Sequence, residues 1–413
     1  MAIMKISDPD KEPAKEMAIT PQSVGLMEPM LVSSENRDRA RLSDLAIELA
    51  EKSAAFRSGL PAGLRVSLAE LVRSMNCYYS NLIEGHDTHP IDIERALNND
   101  YSADPKQRDL QLEAKAHIEV QAWIDAGGLD GRATRLDGLL ETHRRFCADL
   151  PESLLLAENP ETGETRRVVP GGLREDHVRV GRHIPPGPED LPRFLKRFEE
   201  AYRGLGKTDG ILSAAAAHHR LLWIHPFLDG NGRVARLMSY AIFRERLQTD
   251  GLWSVARGLA RYEQAYKQHL QACDGDRRGD LDGRGSLSEG ALAQFTAFFL
   301  TTAIDQVDFM EGLVEPRKLR ARILKWAGTA MATGEIPAKS DAILEALLFR
   351  GELARGDVPG VIAASERSAR RVTAALMDRG VLKSLSTRAP LTLGFPADLA
   401  SDWMPGLFPA APS

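Results

Sequence analysis

Residues 225–236 read His225-Pro226-Phe227-Leu228-Asp229-Gly230-Asn231-Gly232-Arg233-Val234-Ala235-Arg236. They lie between two helical patterns, Ile211 to Ile224 and Val234 to Arg244. Two glycines and an asparagine just ahead of a helix leave backbone N–H groups free to face one anion, as a helix N-terminus or an amide nest does with phosphate. Arg233 and Arg236 add charge and paired hydrogen bonds to phosphate oxygens. Asp229 is a hard oxygen ligand beside them, of the kind Mg²⁺ takes together with phosphates. His225 is the one group in the loop whose ordinary pKa suits proton transfer near neutrality. Base, metal ligand and anion cradle in one loop point to nucleotide phosphate chemistry, and the residues alone go no further.

Upstream, the pattern is helical. Apolar spacing predicts helices from near Arg41, from Leu64 to Tyr79, from Pro90 to Asn98, from Gln107 to Ala126 and from Asp137 to Asp149. Ser80-Asn81-Leu82-Ile83-Glu84-Gly85 closes the second of these, with Gly85 as its stop. Between Pro160 and Pro188 the pattern changes to Gly, Pro and short β-like pieces. Arg166-Arg167-Val168-Val169 and Val178-Arg179-Val180 are read there as a loop and a β-hairpin. Helix returns over Leu191 to Tyr202. Ser286-Leu287-Ser288-Glu289 reads as a capping box opening the apolar helix Ala291 to Thr302. The run Asp274, Asp276, Asp280, Asp282 resembles a Ca²⁺ loop only superficially. Arg278 stands at the third ligand position and no closing Glu follows, so a solvated acidic loop is expected. His218 and His219 are expected to pack rather than ligate.

After Pro316 the chain reads as a second module. A helix is expected over Asp341 to Phe349, a shorter helical stretch over Glu352 to Ala363 broken by Pro359, and a third helix from Ser365 to Asp378. Two strands, Gly380 to Leu385 and Arg388 to Leu393, complete the order of a winged helix-turn-helix. This block is basic: 14 Lys and Arg against 7 Asp and Glu between Arg317 and Phe395, leaving 39 against 51 elsewhere. Such asymmetry suggests a separate partner, DNA first, with Arg367, Arg370, Arg371, Lys383 and Arg388 placed for phosphate contact. A module retained for dimerisation or target docking is the alternative, and a second copy of the chain is a candidate partner.

The 413 residues exceed one ordinary core. The expected division is a flexible leader 1–40, an N-terminal helical region 41–130, a catalytic core 131–315, a winged helix 316–395 and a tail 396–413. Hydrophobic residues at 43% and charged residues at 27% indicate a globular chain. No apolar run suits a signal peptide or a bilayer span, and Cys77, Cys147 and Cys273 lack metal-ligand spacing, so a reducing cytoplasm and no membrane partner are expected.

The loop also resembles the Fic family signature, His-x-Phe-x-(Asp/Glu)-Gly-Asn-Gly-Arg-x-x-Arg, at every fixed position. The resemblance extends from about Arg41 to Thr302. It implies a mainly α fold: an all-α Fic helical core with a small β-hairpin flap, joined here to the C-terminal winged helix. It further implies nucleotidyl transfer, with ATP as substrate and Mg²⁺ or Mn²⁺ as cofactor. By that likeness His225 deprotonates the hydroxyl of a target protein and Asp229 binds the metal. Gly230, Asn231 and Gly232 hold the α-phosphate region, and Arg233 and Arg236 the outer phosphates. Gly232 stands where the kinase-like Doc toxins carry Lys, which favours AMP transfer over phosphoryl transfer. Ser80-x-x-x-Glu84-Gly85 resembles the inhibitory motif of autoinhibited Fic proteins, in which the Glu pairs with the second signature Arg, here Arg236; in some relatives that Glu also supports removal of AMP. Val178 to Pro188 resembles the Fic flap, which lays an extended target segment beside the site, with Val180, Gly181, Arg182, His183 and Ile184 as its contact residues. A DNA-binding regulator with a nucleotide-sensing Fic domain, and transfer of another phosphate-containing group, are the other readings.

Overall fold

The computed structural model describes residues 4–6, 21–159 and 163–409, with Met4–Ile6 described by backbone alone. In chain order its elements are β1 (Met4–Ile6), α1 (Arg39–Ser58), α2 (Ala62–Ile83), α3 (Pro90–Leu97), α4 (Pro105–Asp125), α5 (Leu136–Ala148), β2 (Leu156–Glu158), β3 (Thr165–Arg167), β4 (Val178–Val180), α6 (Leu191–Ala201), α7 (Lys207–Ile224), α8 (Asn231–Leu247), α9 (Ala256–Arg261), α10 (Glu263–Cys273) and α11 (Glu289–Leu313). The C-terminal part adds α12 (Pro316–Thr333), α13 (Ser340–Arg350), β5 (Glu352–Leu353), α14 (Val358–Val361), α15 (Glu366–Asp378), β6 (Leu382–Lys383), β7 (Leu391–Leu393) and α16 (Ala400–Trp403).

The mainly α fold expected from periodicity is what forms. At its centre is the hairpin of α7 and α8. Helix α7 is buried on nearly every face, and its run Ala214 to Ala217 removes bulk so that neighbours approach closely. The tip of this hairpin is the stretch 225–230. Helix α2 crosses the core on the other side of that tip, and α4, α5 and α11 complete the wall. Among the described residues, no helix is long and apolar enough to cross a membrane.

Several expectations change. The β-like pieces at 166–169 and 178–180 do not pair with each other. Strand β3 pairs with β2, Leu156 opposite Arg167, while β4 pairs with β1, Met4 opposite Val180. Alternation alone marks a strand but not its partner. Residues 21–38, assigned to the leader, are packed: Met27 is fully buried, Tyr202 Oη donates to the Met30 carbonyl at 2.8 Å, and Arg220 reaches the Pro29 carbonyl. The leader residues 7–20 lie outside the described set.

At α11 the capping box is replaced. Ser288 is the N-cap, accepting from Ala291 N, and Glu289 turns back to accept from the N–H and hydroxyl of Ser33. Asp282 accepts from Arg278 N and Gly290 N, so the acidic loop ties itself to that helix start. Helices α9, α10 and α12 were not anticipated. In the C-terminal part, residues 352–353 form a strand rather than a helix, giving a three-stranded sheet in the order β5-β7-β6.

Candidate active site

Proline at 226 cannot continue α7, and it disfavours the helical conformation in the residue before it. His225 therefore leaves the helix in a left-handed conformation, φ 50°, ψ 61°, while its N–H still closes on the Leu221 carbonyl. Gly230 turns the chain back into α8 with φ 81°, where a side chain would also press on the His143 ring. Asn231 fastens the loop from inside: its Oδ1 accepts from Phe227 N at 3.0 Å and its Nδ2 donates to the Phe227 carbonyl at 2.8 Å. The side chain read as a phosphate contact thus also fastens the loop, and Asn231 lines the groove at the start of α8.

His143, stacked on Phe227 with ring centroids 4.0 Å apart, buttresses the same turn. Gly171 N–H donates to its Nδ1, which leaves Nε2–H for the Asp229 carbonyl at 3.2 Å. Burial holds this imidazole down near about 4, so it serves as a neutral strut. The Asp229 side chain is exposed and, among the described residues, has no hydrogen-bond or ion-pair partner.

The loop opens into a groove of about 1500 Å³. Its walls are the 225–236 loop, the end of α2, the flap residues Arg179 to Ile184, the β2 edge and one face of α10. Glu84 enters it as the C-cap of α2. Its Oε1 lies 2.5 Å from Arg236 Nη2, and Arg236 also donates from Nε to Ser80 Oγ at 2.8 Å and from Nη2 to the Ser80 carbonyl. Burial would raise the Glu84 carboxyl, but the charges of Arg236 and Arg233 outweigh it and hold the group at about 2. A Cβ on residue 232 would stand 2.3 Å from Glu84 Oε1. Glycine at 232 is therefore what lets a carboxylate lie against the first turn of α8, where the helix dipole favours negative charge.

Arg233 departs from its expected place. It is buried, lies outside the groove lining, and pairs with Glu113 at 2.6 Å over the Phe146 ring. Glu113 in turn takes His86 Nδ1 at 2.7 Å.

His225 is neutral across the ordinary pH range. Burial, then the nearby Arg174 cation, lowers its pKa to about 3, and its Nδ1 is buried with no hydrogen-bond partner among the described residues. Arg174 has no local sequence signal, yet it ties His225 to the flap. Its Nε donates to the His225 carbonyl at 2.7 Å, its Nη1 to the Asp176 carbonyl at 2.8 Å and its Nη2 to the Pro186 carbonyl at 2.5 Å. The flap turns tightly, with reciprocal hydrogen bonds between Val180 and His183 around Gly181. His183 is an anchor: its Nε2 meets the Trp223 carbonyl at 2.7 Å and its ring lies on the Trp223 indole. Arg182 and Ile184 are exposed at the flap tip. His218 packs as expected, between Ser239 and Tyr266.

Of the basic residues assigned to the second module, Arg367, Arg370 and Arg371 are exposed on α15, and Arg388 is exposed on the β6–β7 loop. Lys383 instead turns onto Glu70 of α2 at 2.8 Å.

The core is helical, with a glycine-rich loop between its two central helices. Residues 133–243 match the Fic/DOC family. The protein adenylyltransferase Fic of Drosophila erecta is 30% identical over 206 residues, covering 49% of this chain and 38% of that protein. The protein of the same description from Nematostella vectensis is 32% identical over 171 residues, covering 40% and 36%. The matched stretch thus spans well under half the length of these relatives. A solved Fic family protein from Desulfovibrio desulfuricans G20 superposes with a TM-score of 0.50 at 17% identity over 85% of this chain and 95% of that one, a likeness of fold.

Proposed function

We propose that this chain is a protein adenylyltransferase that transfers AMP from ATP to a Ser, Thr or Tyr hydroxyl of a target protein or of itself, and that Glu84 holds it in check. The observation that carries this is the Glu84 carboxylate seated on Arg236 against the N-terminus of α8. That is the place an ATP phosphate needs, and an anion already fills it. The curated adenylyltransferase relatives support the activity.

With Glu84 displaced, the first-turn amides of α8 and the Arg236 guanidinium receive the triphosphate. His225 accepts the proton of the hydroxyl as its oxygen bonds to the α-phosphorus, and pyrophosphate departs. Arg174 keeps that imidazole in register with the flap. The flap edge, which β1 engages by antiparallel pairing, is competent to take an extended segment of target by the same hydrogen bonds. Asp229, with its carboxylate open to the groove, suits Mg²⁺ or Mn²⁺. Mg²⁺ is commonly held by one or two carboxylates together with substrate phosphates and water. Such an ion would neutralise charge on the leaving pyrophosphate.

The deciding experiment is transfer from α-³²P-ATP by wild type, Glu84→Gly and Glu84→Gly/His225→Ala. Strong label on the first variant, weak label on wild type and none on the double variant supports the reading. Label from γ-³²P-ATP alone would make the chemistry phosphoryl transfer.

A second reading concerns residues 316–395 as a winged helix-turn-helix on DNA. It is favoured by Arg367, Arg370 and Arg371 lying exposed on the same helix. Gel shifts whose affinity falls steeply with salt, and falls less steeply after Arg371→Ala, would support it. Binding coupled to ATP without covalent transfer would make the chain a nucleotide-sensing regulator.

A further inference from the structure

The helix that carries Glu84 is gripped along its length by the C-terminal part of the chain. At its start, Gly63 lies so close to Gly351 that a Cβ there would come within 2.3 Å of the Gly351 carbonyl oxygen. In its middle, Glu70 pairs with Lys383. At its end, Tyr79 Oη donates to the Leu407 carbonyl at 3.0 Å in a buried contact, and the Tyr78 ring meets the Phe408 ring edge-on at 5.7 Å. Arg257 holds the same strap from the core, donating to the Gly406 carbonyl at 2.9 Å while stacking over Phe309. Residues 404–408 belong to the stretch 396–413 that the sequence marks as a tail. Instead Met404 and Leu407 are buried, and Trp403 just before them packs on Trp326 and Phe395 of the C-terminal module.

The last turns of α2 are therefore held on two faces. Successive residues of a helix point about 100° apart. Ser80 receives the Arg236 guanidinium, while Tyr79, its neighbour, is fastened to the tail. Glu84 is five residues, under two turns, beyond Tyr79. Drawing Glu84 off Arg236 by moving this helix end requires that Tyr78 and Tyr79 slide against Leu407 and Phe408. A contact of one hydrogen bond and a few ring edges is small enough to release without unfolding the core.

We propose that residues 404–408 are a latch that keeps α2 seated, so that the C-terminal module sets how often Glu84 vacates the phosphate loop. This rests on the reading of Glu84 as inhibitory. The latch adds no group to the chemistry: it shifts the balance between a seated and a lifted helix end, and its effect disappears once Glu84 is gone.

The test uses the full chain and two independent readouts. Deletion of residues 407–413 removes the latch, and Tyr79→Phe removes only its hydroxyl. Hydrogen exchange of amides 76–85 is expected to speed up in both variants, more in the deletion, while amides of α7 and α8 keep their protection. Transfer from α-³²P-ATP is expected to rise about 5- to 50-fold in the deletion and a few-fold in Tyr79→Phe. In the Glu84→Gly background neither change should alter the rate. Unchanged exchange at 76–85 in both variants would overturn the latch, as would an equal rise in rate with Glu84 absent. Should Glu84→Gly transfer no label, the adenylyltransferase reading fails by itself, and the exchange measurement still decides whether the tail restrains the helix. Loss of protection in α7 and α8 as well would overturn the latch in favour of a plain folding role for the tail.

Discussion

The phosphate loop and the flap wall the same groove and are built in opposite ways. The loop, 225–236, is tied by contacts within itself and to its immediate support: Asn231 to Phe227, His143 to Phe227 and Asp229, Arg236 to Ser80. Its backbone is fixed before any ligand arrives. The flap, 178–184, has a short strand paired to β1 and an exposed tip. It is placed by two ties to the rest of the chain, Arg174 on the Asp176 and Pro186 carbonyls that flank it and its own His183 on the Trp223 carbonyl. On the proposed function, chemistry that needs fixed geometry would sit on the first, and recognition that must accept different chains on the second.

That contrast can be broken or sharpened by five measurements. The largest effect is expected from His225→Ala in the Glu84→Gly background, a fall in transfer of about 10²- to 10⁴-fold with ATP binding retained. Full activity there would remove the loop's claim to the chemistry. Next comes Glu84→Gly itself, which should raise transfer on the order of 5- to 150-fold by vacating Arg236.

Arg174→Gln in the same background tests the tie between the two regions. Losing one charge-assisted set of hydrogen bonds is worth about 1.5–3 kcal/mol, so kcat should drop roughly 10- to 100-fold. KM for ATP should hold, because Arg174 touches base and flap but not the phosphate cradle. Equal damage to ATP affinity would reduce Arg174 to a folding role. A smaller effect is expected at the flap tip, where Ile184→Ser should raise KM for a protein target about three- to tenfold and leave kcat alone.

The smallest effect is expected from pH. The Glu84 carboxyl is depressed to about 2 by Arg236 and Arg233 against the opposing effect of burial. A depressed acid is ionised above its ordinary range and loses its pairing only as pH falls towards the folded value. Lowering pH from 8 to 5 should therefore not release wild-type activity, and an acid-triggered rise in that window would mean the pair is looser than its geometry.

Much of this is legible in the amino-acid order. The loop can be read because all its groups are contiguous, and a turn between two helices brings neighbours together by local geometry alone. The end of α2 is legible as a helix stop beside a carboxylate. Illegible are the contacts closed over long distances along the chain. Arg174 sits in an irregular stretch with no periodicity, and nothing local says that three carbonyls converge on it. Arg233 reads as a phosphate ligand until its partner Glu113, on another helix, is brought beside it. The strands at 166–167 and 178–180 are recognisable as strands but not by partner, because alternation carries no address.

The sequence by itself determined the helical class, the Gly-Asn-Gly loop with its histidine, and the carboxylate at the end of α2. These depend on periodicity, on proline and glycine chemistry and on groups a few residues apart. Only the tertiary structure decided how Glu84 sits against the first turn of α8, which cation ties His225 to the flap, and that residues 404–408 close over the end of α2. Those outcomes follow from packing among segments far apart along the chain, whose burial energy is shared across the whole core and is written in no single stretch.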